Sequence, residues 1–183
     1  MPTTATEEAR ALLLRLAADR VPHPGGTLLA HLDRVHAQLA HWGARPALRL
    51  AGLCHACYGT DGFPTALLPL DRRTELASVI GPEAEAVVHF YASCDRGATY
   101  PHLLEPLFRD RFTGRTYAPD PLLCTDFAEI TAANELDLAR RDPAFRERWG
   151  PELLTLLTRF RPLLSPPAWQ DTLAVLRPAG SPP

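Results

Sequence analysis

The sequence contains no lysine, and all nineteen of its basic residues are arginine. This absence excludes chemistry through a lysine Schiff base, and it excludes the lysine of a phosphate-binding P-loop. Binding of a phosphate group would therefore depend on arginines, among them Arg72, Arg73, Arg96 and Arg109.

Long apolar runs and a large excess of charge are also missing. No stretch reaches the roughly 18–20 apolar residues of a membrane span, and the formal net charge is −2. We therefore expect neither a membrane nor a nucleic-acid partner. Residues 1–8 lack the basic region of a signal peptide, which predicts a cytoplasmic protein. The four cysteines are then expected to be reduced thiols.

Strand patterns are absent, because no alternation of apolar and polar residues continues for more than a few positions. Helix start signals occur instead: Thr4 with Glu7 fits a capping box, Thr27 suits an N-cap, and Asp120 precedes a first-turn proline. The sequence predicts a single all-α domain, residues 1–183, with about six to eight helices around a central apolar helix. C-terminal helices are expected over 151–177.

The central helix is predicted to begin with Pro46 in its first turn and to end at Gly59, and its segment 50–59 is apolar on nearly every side. It carries His55, and a buried imidazole needs a partner because an unpaired buried polar group costs about 1–3 kcal/mol. His31 and Asp126 also lie on helix faces predicted to be buried. Two imidazoles and a carboxylate suit one divalent ion of iron, manganese, zinc or cobalt. Without a cation, burial would leave a costly charge on Asp126.

The order and context of these residues resemble the HD-domain superfamily of metal-dependent phosphohydrolases and oxygenases. That superfamily has a helical core with an early histidine, a His-Asp doublet on a central apolar helix, and a later aspartate. His31 is similar to the early histidine, His55 to the histidine of the doublet, and Asp126 to the later aspartate. The resemblance covers residues 27–141 and implies an HD-domain-like helical bundle.

The sequence departs from the HD pattern at Ala56, which stands where the doublet has its aspartate. In the superfamily that aspartate contributes to metal binding. Its loss argues against a two-metal site and leaves either a mononuclear site or a decayed one. His23, in the loop before the helix of His31, is the expected substitute ligand.

Three further residues are candidates for a catalytic pocket. Tyr58 lies about one helical turn beyond His55, Asn134 lies on the same apolar arc as Asp126, and Arg96 suits a carboxylate or phosphate. Asp137 is a rival carboxylate about 16 Å beyond Asp126 along the helix axis. It is expected to form a surface pair with Arg141 instead.

The resemblance implies a metal-dependent enzyme that acts on a small metabolite at a mononuclear site. Hydrolysis is preferred because it is the commoner activity of the superfamily. One alternative is a non-haem iron oxygenase of HD type. The other is a degenerate domain that binds a ligand or a partner without catalysis. The expected partner is a small-molecule substrate, and the chain is expected to be a monomer or a homodimer.

Overall fold

The computed structural model describes residues 4–105 and 107–177. In these two ranges the chain forms nine α-helices and two short antiparallel hairpins, which confirms the predicted all-α class. The number of helices exceeds the expectation, in part because residues 96–99 form a short helix in a region predicted to be irregular. No helix in this part of the chain has the length and apolar character to cross a membrane.

Longer segments join the first helix to the second, the third to the fourth and the sixth to the seventh, and the other connections are short. The helices are α1 (Ala5–Arg15), α2 (Leu28–His41), α3 (Pro46–Cys54), α4 (Arg73–Ile80), α5 (Pro82–Ser93), α6 (Arg96–Thr99), α7 (Pro121–Arg141), α8 (Pro143–Phe160) and α9 (Pro166–Leu176). Two 3₁₀ turns, Leu70–Arg72 and Arg161–Leu163, precede α4 and α9. The hairpins pair β1 (Pro22–His23) with β2 (Gly26–Thr27) and β3 (Phe108–Arg109) with β4 (Thr116–Tyr117).

Local capping accounts for most of the helix starts. The capping box of Thr4 and Glu7 is present, and Thr27 accepts a hydrogen bond from the N–H of Ala30, as predicted. Asp142 accepts from two N–H groups of the first turn of α8. That cap makes α8 begin at Pro143, so the expected start of the C-terminal helices at residue 151 is wrong, and Pro151 lies inside α8.

The interior is organised around α3 and α7. The α3 helix packs against α1, α2, α4 and α5, and α7 packs against α2, α5, α8 and α9. Residues 51–60 are all buried, which agrees with the predicted central position. The predicted extension of α3 to Gly59 is wrong, because the helix ends at Cys54 and continues as turns. The carbonyl of Cys57 accepts hydrogen bonds from the N–H groups of Leu67 and Leu68 instead of continuing a helix.

The α2 and α3 helices are in close contact at Gly52. A Cβ atom at this position would lie 2.2 Å from Cδ1 of Leu39, whose side chain is fully buried. The close contact between the two helices thus requires a residue without a side chain. This contact fixes α2 next to the turn that follows α3.

The variant Gly52→Ala should unfold at a lower denaturant concentration than the wild type. Forcing a methyl group into this packed contact is expected to reduce the free energy of unfolding by about 1–3 kcal/mol. Gly150→Ala is the matched control, because its Cβ would meet no atom closer than 3.9 Å. Alanine in that helix should raise stability by about 0.5–1 kcal/mol. Equal stability of Gly52→Ala and the wild type would contradict the packing description.

Candidate functional site

His31, His55 and Asn134 meet at one point in the interior. His31 comes from α2, His55 from the turn after α3, and Asn134 from α7. The Nε2 atoms of His31 and His55 lie 3.0 and 3.2 Å from Oδ1 of Asn134. All three residues are buried. The structure thus brings the two predicted histidines together, with Asn134 as the third member.

His31 is oriented by Asp137, which lies one turn beyond Asn134 on α7. Nδ1 of His31 donates to Oδ2 of Asp137 at 2.7 Å, and Arg34 donates two further hydrogen bonds to the same carboxylate. Burial would raise the pKa of Asp137, but the hydrogen bonds from His31 and Arg34 outweigh it and hold the pKa at about 2. An ionised carboxylate only accepts, so Nδ1 of His31 carries a proton. In the neutral form of the ring, Nε2 presents a lone pair to Asn134.

His55 is oriented in the same way by a backbone carbonyl. Its Nδ1 lies 2.8 Å from the carbonyl oxygen of Gly52, which can only accept, so Nδ1 carries the proton. Burial, followed by the nearby His31 ring, lowers the pKa of His55 to about 3, so the ring is neutral at pH 7. Its Nε2 therefore also presents a lone pair to Asn134.

Asn134 is the only asparagine of the chain, and its amide is oriented by Glu135. Nδ2 of Asn134 donates to Oε1 of Glu135 at 3.2 Å, which directs Oδ1 toward the two rings. An amide oxygen has lone pairs and no proton. When both rings are neutral, three lone-pair atoms thus face one another, with each ring nitrogen at hydrogen-bonding distance from Oδ1. Such an arrangement is suited to a cation.

The hairpin of β1 and β2 brings His23 to the same place. The His23 ring stacks on the His31 ring, with centroids 4.1 Å apart and planes inclined by 24°, and it meets the edge of Phe63 at 5.5 Å. Burial, followed by the His31 ring, lowers the pKa of His23 to about 4. His23 therefore lies beside the predicted site as a neutral ring.

A cavity of about 230 Å³ opens beside these side chains. Its polar wall contains His23, His31, His55, Arg96, Asn134 and Glu135. The apolar wall contains Leu28, Ala56, Phe63, Leu138 and Phe145. The half-apolar lining fits a small organic molecule better than a bare ion alone.

Asp126 does not lie with the histidines, so its predicted place in the site is wrong. Both of its oxygens bind the guanidinium of Arg45, at 2.5 and 2.7 Å. Asp126 precedes Asn134 by about 12 Å along α7, at 1.5 Å per residue. It lines a different cavity, together with Trp42 and Glu129. Across residues 4–105 and 107–177, no cluster of three or more His, Cys, Asp or Glu side chains is placed to hold a metal ion.

Asp137 was assigned to a surface pair with Arg141, and that assignment is wrong. The residue is buried and binds His31 and Arg34. The sequence signal was present, because Asp137 falls on the apolar arc of α7. Asp137 and Asp126 are too far apart along the helix to bind the same ion, so the choice of Asp126 as ligand excluded Asp137.

Tyr58 faces away from the histidines, which corrects its expected role in the pocket. The chain leaves the helical path after Cys54, and the Tyr58 hydroxyl donates to Oε1 of Glu85 at 2.8 Å. Arg73 donates two hydrogen bonds to the same carboxylate, at 2.7 and 2.8 Å. Tyr58 thus belongs to a separate buried cluster that joins the turn after α3 to α4 and α5. Glu135, in contrast, is a cavity residue that no local pattern in the sequence indicates.

The comparisons with known proteins name no activity. A family model described as a domain of unknown function, DUF6817, matches residues 12–96. The matched stretch includes His23, His31, His55 and Arg96, and it ends before α7 with Asn134 and Asp137. No curated protein and no solved structure matches the chain.

The variant Asp126→Asn tests whether this residue supports the fold. It removes the charge that faces Arg45, and breaking a buried ion pair is expected to lower the free energy of unfolding by about 3 kcal/mol. Glu83→Gln is the matched control, because Glu83 binds the same Arg45 at 2.9 Å but its side chain is 62% exposed. That control should change stability by less than about 1 kcal/mol in urea unfolding. A stable Asp126→Asn protein would contradict the structural role.

The variant Glu85→Gln tests the second cluster through its dependence on pH. Burial would raise the pKa of Glu85, but the hydrogen bonds from Arg73 and Tyr58 outweigh it and keep the pKa below its usual value. A lowered native pKa stabilises the fold above the unfolded value and loses this effect as the pH falls. Glu85→Gln should therefore be less stable than the wild type by about 1.5 kcal/mol at neutral pH. The difference should shrink below about pH 4, as measured by urea unfolding across pH, and a constant difference would contradict this account.

Proposed function

We propose that the protein binds one divalent metal ion at His31, His55 and Asn134 and acts on a small metabolite in the adjoining cavity, by hydrolysis. The observation that carries the proposal is the convergence of three potential ligand atoms in a buried place: Nε2 of His31, Nε2 of His55 and Oδ1 of Asn134. Without a proton or a cation between them, these atoms would repel one another. A cation relieves that conflict.

The spacing of the three atoms supports this interpretation. Two ligand atoms that lie about 2.1 Å from one ion and about 90° apart are separated by about 3.0 Å. The two nitrogen-to-oxygen separations are 3.0 and 3.2 Å. Oδ1 thus lies from each ring nitrogen at a distance typical of neighbouring ligands in a metal site.

The acceptors that bind the Nδ1–H groups of the two histidines give independent support. Metal-binding histidines usually donate their second ring N–H to a carboxylate or a backbone carbonyl. His31 donates to Asp137, and His55 donates to the carbonyl of Gly52. Both rings are thereby held in the tautomer that offers Nε2. The donor set of two imidazoles and an amide suits zinc, cobalt, iron or manganese.

The amide at residue 134 favours hydrolysis over oxygen chemistry. The facial triad of non-haem iron oxygenases includes a carboxylate, and this place is held here by a neutral side chain. Neutral ligands leave the charge of an ion largely undiminished, as in the three-histidine zinc site of carbonic anhydrase. A divalent ion in this place supplies Lewis acidity toward a carbonyl or phosphoryl group.

The proposal keeps the resemblance to the HD superfamily but changes one residue of it. His31 corresponds to the early histidine and His55 to the histidine of the doublet. Asn134, instead of Asp126, corresponds to the later aspartate. The four cysteines are free, which supports a reducing, cytoplasmic location as part of the same proposal.

Metal content tests the proposal directly. Protein purified without chelator should contain close to one equivalent of iron, manganese, zinc or cobalt by elemental analysis. Asn134→Ala should weaken Co²⁺ binding at least tenfold in an absorption titration, because one ligand is lost. Asn134→Asp should strengthen it, because a charged oxygen replaces a neutral one.

Asp126→Asn is the matched control for that titration. It changes the carboxylate that the sequence predicts as a ligand but that lies outside the proposed site. At a temperature where it is folded, it should bind Co²⁺ as the wild type does. Equal affinity of Asn134→Ala and the wild type would reject the site. A wild-type protein that takes up no metal after supplementation would favour the alternative, a domain that binds a ligand without catalysis.

A further inference from the structure

Arg96 is a cation at the wall of the cavity whose hydrogen-bonding capacity is largely unused. Its side chain is only 23% exposed, and it lines the cavity beside Asn134 and Glu135. A guanidinium has five N–H donors. The contact of its Nη1 with Oε1 of Glu135, at 3.5 Å, is the one hydrogen bond of this guanidinium within the described ranges. Within those ranges no nitrogen of Arg96 is a buried atom without a partner, so its remaining N–H donors are accessible to a molecule in the cavity.

The surrounding chain holds the guanidinium in this place. The backbone N–H of Arg96 donates to the carboxylate of Asp61 at 3.0 Å, which fixes the start of α6 to the loop after Gly59. In that loop, the backbone of Gly62 lies next to the guanidinium. A Cβ atom at this position would be 2.8 Å from Nη1 of Arg96. The ring of Tyr100 lies on another side, 5.9 Å from the guanidinium carbon. The side chain is thus positioned by its neighbours.

The charges around Arg96 distinguish between kinds of anion. Arg96 is the one arginine that lines this cavity, and the chain has no lysine. One guanidinium balances a single negative charge, whereas a phosphate carries up to two at neutral pH. A carboxylate carries a single charge and matches the planar fork of one guanidinium. The apolar wall, with Leu28, Phe63 and Phe145, can cover the hydrocarbon part of such a molecule.

We propose that the molecule bound in this cavity is a small carboxylate, whose carboxylate group is bound by Arg96 and whose apolar part lies against Phe63 and Phe145. The proposal deepens the proposed function, since it names the class of substrate for the same cavity. Carboxylate binding to Arg96 requires no metal ion. The two proposals can therefore fail separately.

Calorimetric titration of the metal-free wild-type protein tests the class of ligand. The probes are benzoate and propionate, the corresponding neutral amides, and inorganic phosphate. Benzoate or propionate should bind, and its amide should bind at least tenfold more weakly. Phosphate bound more tightly than both carboxylates, equal binding of acid and amide, or failure of both carboxylates to bind would overturn the proposal.

Variants then locate the binding group. Arg96→Gln should weaken binding of the carboxylate at least tenfold, and Arg96→Lys should weaken it less, because the charge remains while the fork is lost. Arg109→Gln is the matched control, because Arg109 is half-exposed, pairs with Asp95 and lies outside the cavity. Unchanged affinity in a folded Arg96→Gln protein would overturn the assignment.

A fourth variant and a metal titration complete the test. Gly62→Ala keeps the charge of Arg96 but displaces its guanidinium, so it should weaken carboxylate binding while thermal unfolding reports an intact fold. Wild-type affinity in a folded Gly62→Ala protein would overturn the described placement of the guanidinium. Co²⁺ affinity should be the same in Arg96→Gln and the wild type. Loss of carboxylate binding with retained Co²⁺ binding separates this proposal from the metal site.

Discussion

The hydrogen bonds that Asp137 accepts are the interaction on which the candidate site depends. Its two oxygens bind Nδ1 of His31 and the guanidinium of Arg34, so one residue of α7 fixes two residues of α2. Because the carboxylate accepts the hydrogen bond from Nδ1 of His31, Nε2 of that ring faces Asn134. The carbonyl of Gly52 has the same effect on His55. The direction of the Nε2 lone pairs, more than the residue types alone, makes the place suitable for a cation.

The α7 helix carries two sets of buried polar side chains with different roles. In its first half, Asp126 binds Arg45 at the start of α3, and Glu129 accepts the N–H of Ser165 at the start of α9. These contacts join helix ends and support the fold. In its second half, Asn134 and its neighbours face the cavity. A side chain that was chemically right for metal binding thus turned out to serve packing, while a neutral amide stands among the site residues.

The fold and the site differ in how much of them the sequence could predict. Helix starts depend on local hydrogen bonds, such as those of Thr4 and Thr27, and were readable from a few adjacent residues. The meeting of His31 with His55 was also predictable, because both lie on buried faces. Periodicity could not tell which turn of α7 lies opposite His31, since Asp126 and Asn134 share one arc. That choice depends on the packing of distant helices, as does the turn after Cys54 that carries Tyr58 away.

The polar side chains of α7 also restrict how the helices can pair. A displacement of α7 along its axis by one turn, about 5.4 Å, would leave its apolar surface still covered by apolar neighbours. It would at the same time separate Asp126 from Arg45, Glu129 from Ser165 and Asp137 from His31, and each would lose its partner in the interior. Competing packings of this leucine- and alanine-rich bundle are therefore much less favourable than the native one. The residues that form the candidate site thus contribute to the selection of a single helix arrangement.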